Sequence, residues 1–155
     1  MTSELSLTAH LDQLVAVLRE ALGSACEVRG HDGLLSQDDI RRYLSSETPI
    51  CAVAILGLEN IQLANRDQIS AQVEVVASII SRSVVSEAYR SSLDLAALVV
   101  WAITQAASWR DARLFRTPLP ATVRAENLFS GALDESEGVT VWGVTWSQTC
   151  YLTRY

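Results

Sequence analysis

Residues 68–80 read QISAQVEVVASII, and their alternation decides the fold. Ile69, Ala71, Val73, Val75, Ala77 and Ile79 fall at every second position, with Gln72, Glu74 and Ser78 between them alongside Val76 and Ile80. Successive side chains of a strand point to opposite faces, so a period of two over this length predicts a long strand at about residues 68–83 with one face on a core. On a helix the same residues would scatter around the axis. Just before it, residues 50–58 read ICAVAILGL, apolar at odd and even positions alike and bounded by Pro49 and by Glu59 and Asn60. A short run with no polar face predicts a strand covered on both sides, in the middle of a sheet.

Helices flank these strands. Leu7, Leu11, Leu14, Val15, Leu18 and Leu22 recur at helical spacing and predict a helix over residues 6–22, stopped by Gly23. Its other face carries His10, Asp12, Gln13, Arg19 and Glu20 and is expected to meet water or a partner. A second helix is predicted over residues 86–109, with Tyr89, Leu93, Ala96, Val100, Ile103 and Ala107 in one stripe. Leu98, Val99 and Trp101 lie outside that stripe, so the segment from Leu95 to Ile103 is apolar nearly all round. Either it is held between the sheet and the first helix, or its surplus face meets a neighbouring subunit.

The rest of the chain supplies connections and edges. Residues 26–29 can form an edge strand before the turn-forming GHDG of residues 30–33. Ser36 and Asp39 have capping-box spacing for a short, peripheral helix ending near Leu44. Residues 110–116 form a loop leading to Pro118 and Pro120. Two strands should follow, at 121–129 and 139–152, joined by a polar segment containing Asp134, Glu135 and Glu137. In the last strand Trp142, Val144, Trp146, Cys150 and Leu152 share a side. The expected fold is α+β, a mostly antiparallel sheet of four to five strands packed against two main helices, in one domain over residues 1–155.

Composition narrows the function. With 155 residues, 49% of them hydrophobic, the chain can bury one sizeable core. Its net charge of -6 repels phosphate backbones, so no direct nucleic-acid binding is expected. All 12 basic residues are Arg, which suits planar contacts with carboxylates but is explained more simply by the base composition of the source genome. The N-terminus has no basic region ahead of an apolar run, and residues 95–109 are too short and polar to span a bilayer, so a soluble protein is expected. Cys26, Cys51 and Cys150 are far apart and odd in number, which signals neither a disulfide framework nor a zinc knuckle and fits a reducing compartment.

Catalytic signals are sparse. His31 and Asp32 lie between glycines, with Cys26 nearby, where a general base and its orienting carboxylate could sit. Turn chemistry explains the same residues better, because adjacent side chains seldom supply a site's mutual geometry. Asp38 with Asp39, and the later acidic group, lack the ligand spacing of a cation loop. No phosphate loop, nucleophile elbow or zinc-protease motif occurs. No catalytic residue, metal or cofactor is therefore expected.

Four segments carry a resemblance: TPICAVAILGL (48–58), QISAQVEVVASII (68–80), SLDLAALVVWAIT (92–104) and TPLPATVRAENLFSGALDESEGVTVWGVTWSQTCYL (117–152). In this order, after an N-terminal helix, they resemble the tail terminator proteins of Mu-like and other long-tailed phages, whose ends have a similar Pro-containing loop, acidic turn and final aromatic strand. The stretch at 30–44 has no counterpart in that pattern. The resemblance implies a homo-oligomer, a hexameric ring, that caps the tail tube and stops its polymerisation. It further implies contacts with the tail tube protein and the head-tail connector protein, and a place in the virion tail after assembly in the host cytoplasm. A connector or other minor tail protein is the alternative within that class; a small-molecule-binding or enzymatic α+β domain is the alternative outside it. The expected subunit contacts are Leu98, Val99, Trp101 and Trp109, the basic Arg110, Arg113 and Arg116, and the acidic Asp134, Glu135 and Glu137.

Overall fold

A computed structural model describes residues 6–43, 48–82, 92–127 and 139–154. The main elements are α1 (Leu7–Leu22), β1 (Glu27–Gly30), α2 (Gln37–Tyr43), β2 (Ile50–Asn65), β3 (Gln68–Arg82), α3 (Ser92–Thr104), β4 (Arg124–Asn127) and β5 (Val139–Thr153). The five strands form one sheet in the order β1-β2-β3-β5-β4. Among the described residues only the β1–β2 pair is parallel, and the other strand pairs are antiparallel. This is the α+β architecture expected, with two main helices on the sheet.

The alternating segment is β3, and it is the central strand. β2 lies beside it, one strand in from the edge rather than in the middle, and runs seven residues past the predicted end at Leu58. The alternation sorts the faces as expected. Ala71, Val73, Val75, Ala77 and Ile79 meet Val144, Trp146 and Cys150 of β5 in the main core, under Leu14, Leu18 and Leu22 of α1 and Leu95, Val99 and Ile103 of α3. Removing each such aliphatic side chain from water contributes about 1.5–3 kcal/mol. On the reverse face Ile50, Ala52, Ile80 and Val141 pack under Tyr43 of α2, with Leu35 and Ile40 beside it. The run 50–54 is apolar throughout because it is covered on both sides. The parallel β1–β2 pair needs a crossover, and the stretch with α2 supplies it, so this insert is a lid on the second core rather than a peripheral piece.

Local chemistry fixes the helix ends. Ser6 caps α1 by accepting from the Ala9 N–H, and Gly23 ends it at φ 55°, ψ -130°, donating its N–H to the Arg19 carbonyl. The capping box of α2 is reciprocal: the Ser36 hydroxyl accepts from the Asp39 N–H at 3.1 Å, while Asp39 Oδ2 accepts from the Ser36 N–H at 2.9 Å.

α3 stops at Thr104, five residues short of the predicted end. The Thr104 hydroxyl donates back to the Val100 and Trp101 carbonyls, Gln105 turns extended, and the Trp109 indole N–H donates to the Ile103 carbonyl at 2.9 Å. The predicted helix start at 86 lies outside the described residues. The buried stripe is also rotated: Leu95, Ala96, Val99, Ala102 and Ile103 are buried, while Leu93 is exposed.

Candidate functional site

The chemistry-bearing residues come first. His31 does not pair with Asp32. Its Nε2 lies 3.4 Å from Asp39 and its Nδ1 3.0 Å from the Tyr43 hydroxyl, while Asp32 is exposed. Arg42 stacks over the Tyr43 ring at 5.3 Å and also bonds Asp39 at 3.1 Å. The Ser36 backbone N–H and hydroxyl, then His31 and Arg42, hold the Asp39 carboxyl below its ordinary value. With both ring nitrogens engaged, His31 ties α2 to the strand end, which is structural work. Cys26, the thiol near this turn in sequence, is buried.

The fold does bring Cys26 and Cys51 together, which their spacing did not signal. The neighbouring Cys26 thiol, and then burial, push the Cys51 thiol well up; burial also raises Cys150. Such thiols are poor nucleophiles. Among the described residues no group of His, Cys, Asp and Glu is arranged to hold a metal ion, and no helix is long and apolar enough to cross a membrane.

Two further polar residues were missed as core elements. His10, assigned to the outer face of α1, is fully buried, with Nδ1 2.7 Å from the Ser6 carbonyl and Nε2 2.8 Å from the Tyr151 carbonyl. Gln148 sits in the apolar row of β5 between Trp146 and Cys150. It accepts from the Trp146 indole at 2.6 Å and donates to the Arg116 carbonyl at 3.0 Å. The signal for Gln148 was present in the alternation: position 148 belongs to the core face of β5. Together these groups close the β5 edge beyond β4. Arg116 N–H donates to the Thr149 carbonyl, Tyr151 N–H to the Leu114 carbonyl, and His10 takes the Tyr151 carbonyl. That edge is sealed by its own chain.

The expected contact residues divide sharply. Trp109 is 4% exposed and Val99 fully buried, so the assignment of these two to a subunit surface is corrected: Trp109 folds back to cap α3 and packs edge-on against Phe115, and Val99 faces the sheet. Leu98 is half-buried against the main core. Trp101 is 60% exposed, and Arg110, Arg113 and Arg116 are exposed, Arg116 lying over the Tyr151 ring at 5.5 Å. Asp134, Glu135 and Glu137 lie outside the described residues.

Two surfaces stand out in the structure. One is a groove of about 640 Å³ between α1 and the end of α3, lined by Ala9, Ala16, Ala107 and Trp101 and rimmed by Asp12, Glu20 and Asp111. The other is the outer half of β2. β1 pairs only with Ile50 to Val53, so no described strand pairs with the outer edge of residues 54–65. Residues 59–67 are exposed on both faces, and Leu56, Ile61 and Leu63 are 37%, 60% and 79% exposed. Three register irregularities and Asn60 at φ 49° interrupt its ladder with β3, a distortion that discourages simple edge-to-edge pairing. No protein-family model matches the sequence, and no curated protein matches it.

Proposed function

We propose that this chain is a structural subunit that works by self-association, and that it is a phage tail terminator: a ring-forming protein of the virion tail that caps the tail tube, halts its growth and meets the head-tail connector. The observation that carries the self-association reading is the distribution of exposed apolar side chains on a chain whose two cores are already closed. Trp101 stands on the helical layer, and Leu56, Ile61 and Leu63 stand on the outer half of β2. Separate patches of this kind favour contact between unlike surfaces of successive copies, the geometry that closes rings. The narrower tail-terminator reading is supported by the order of the elements, and the tail tube protein and head-tail connector protein are its expected partners.

The experiment is direct: negative-stain imaging of the purified protein, followed by co-assembly with tail tube protein. Rings with a central opening that bind the ends of tubes and stop their elongation are the expected result. Rings that bind only connector protein would replace the tail terminator with a connector, and a monomer indifferent to tubes would overturn both. A second reading, a small-molecule-binding domain, draws on the groove, which is large enough for a ligand and has three carboxylates at its rim. A monomer whose melting temperature rises with a cationic ligand would favour it.

A further inference from the structure

The edges of the sheet are finished differently. On β1, Glu27 and His31 donate across to β2, and the Val28 carbonyl between them accepts from the Arg19 guanidinium through Nε at 3.1 Å and Nη2 at 3.0 Å. The outer half of β2 is broken by register shifts and by Asn60. β4 is finished by neither device. Arg124, Ala125, Glu126 and Asn127 pair with β5 in unbroken register, all four are exposed, and no described strand lies on their other side. Val123 ahead of them is extended at φ -79°, ψ 126°. A regular edge of this kind is a template for another strand.

The charges of this edge are self-complementary. Arg124 and Glu126 stand two positions apart, hence on one face of the sheet. Among the described residues neither forms an ion pair with its own chain. Residues directly opposite in a sheet share a face, so a two-fold axis between two antiparallel copies of β4 passes through the same residue of both. With the axis at Ala125, Arg124 of each copy faces Glu126 of the other, and two opposite-charge pairs form. With the axis at Arg124 or at Glu126, like charges meet head on. Opposite charges across strands stabilise and like charges destabilise, so one register is selected.

We infer that β4 of one copy pairs antiparallel with β4 of a second copy about a two-fold axis at Ala125, joining the two sheets into one. This rests on the self-association reading and names one of its contacts. The contact joins a surface to itself, so it ends at a pair, and unlike surfaces link the pairs to one another. A hexameric ring accommodates three such pairs. The paired edge is short, so the two charge pairs weigh heavily in its strength.

Cross-linking and charge exchange test it. Across the axis the two Ala125 Cα atoms lie about 4.5–5.5 Å apart, a span a disulfide bridges. Cys26, Cys51 and Cys150 are buried, so under mild oxidation with diamide Ala125→Cys should run as a covalent dimer on non-reducing gels. Asn127→Cys, about 14 Å from its own copy, should not. By light scattering, Arg124→Glu and Glu126→Arg should each weaken the pairing about tenfold or more, since each sets like charges opposite one another twice. The double variant Arg124→Glu/Glu126→Arg re-forms both pairs in the reverse sense and should restore association, which a misfolded chain would not do. An Ala125→Cys protein that does not cross-link, single reversals that associate like wild type, or a double variant as weak as the singles would overturn the contact while leaving self-association standing. A wild-type protein with a single-chain mass at every concentration would remove both the contact and the reading beneath it.

Discussion

Replacing Gln148 by Leu isolates one buried polar bridge almost without changing volume. The amide sits 2% exposed between two partners: it accepts from the Trp146 indole N–H at 2.6 Å and donates to the Arg116 carbonyl at 3.0 Å. Leucine satisfies neither. A buried donor left without an acceptor costs about 1–3 kcal/mol. Trp146 is 1% exposed, so water has no ready access to its indole. The Arg116 carbonyl lies on a partly buried loop and loses less, while the leucine regains about 1 kcal/mol of apolar burial. The net expectation is a loss of about 2–3 kcal/mol by urea denaturation, out of the roughly 5–15 kcal/mol of a typical domain. The double variant Trp146→Phe/Gln148→Leu removes donor and acceptor together. It should cost at least about 1 kcal/mol less than the sum of the single variants, because no indole N–H is orphaned. A Gln148→Leu loss below about 0.5 kcal/mol, or strict additivity in the cycle, would refute the bridge.

Other substitutions read separate parts of the fold. His10→Ala removes the buried imidazole that bridges the Ser6 and Tyr151 carbonyls and its edge-on contact with Phe115 at 5.4 Å, so unfolding should show a loss of about 2–4 kcal/mol. Gly23→Ala meets no atom within 4 Å but forces a side chain onto φ 55°, ψ -130°; a loss of about 1–3 kcal/mol of pure backbone strain is expected by the same method. Asp39 has its carboxyl lowered chiefly by the Ser36 N–H and hydroxyl. Its stabilising contribution is therefore full above the ordinary carboxylate value and is lost as the pH falls through the lower folded value. Asp39→Asn should flatten that part of the acid limb of a stability-against-pH curve, and an unchanged limb would contradict the assignment. Reversing Arg110 and Arg113 to Glu should weaken assembly if these exposed groups meet carboxylates of a neighbour, read as a drop in mass by light scattering.

Periodicity carried most of the fold. The alternation at 68–80 located the central strand and both of its faces, because a period of two is what a half-covered sheet imposes on its sequence. The Ser36 and Asp39 pair and Gly23 were legible because caps are local. What escaped was set by tertiary contact. The second helix was extended to Trp109 on its apolar pattern, but the chain turns at Gln105, and Trp109 returns to cap the carbonyl of Ile103. His10 read as an exposed polar residue because only the fold brings the Tyr151 carbonyl to it, 141 positions along the chain. Trp101 was correctly singled out as lying off the buried stripe; Val99 was not, since the stripe turns by about one position relative to the one inferred from Leu93. The groove was illegible for the same reason: its walls come from residues 9–21 and 101–112, joined only in three dimensions. The outer half of β2 could have been found. Residues 59–65 continue the strand with Ile61 and Leu63 in a polar setting, past Glu59 and Asn60, whose polarity resembles a strand end.

The central claim is that this chain acts through copies of itself. Its most direct test is the mass of the purified protein in solution across a range of concentrations, measured by light scattering. A discrete multiple of the single-chain mass, six-fold for the hexameric ring that the tail terminator reading implies, is the predicted result. A single-chain mass at every concentration would contradict it.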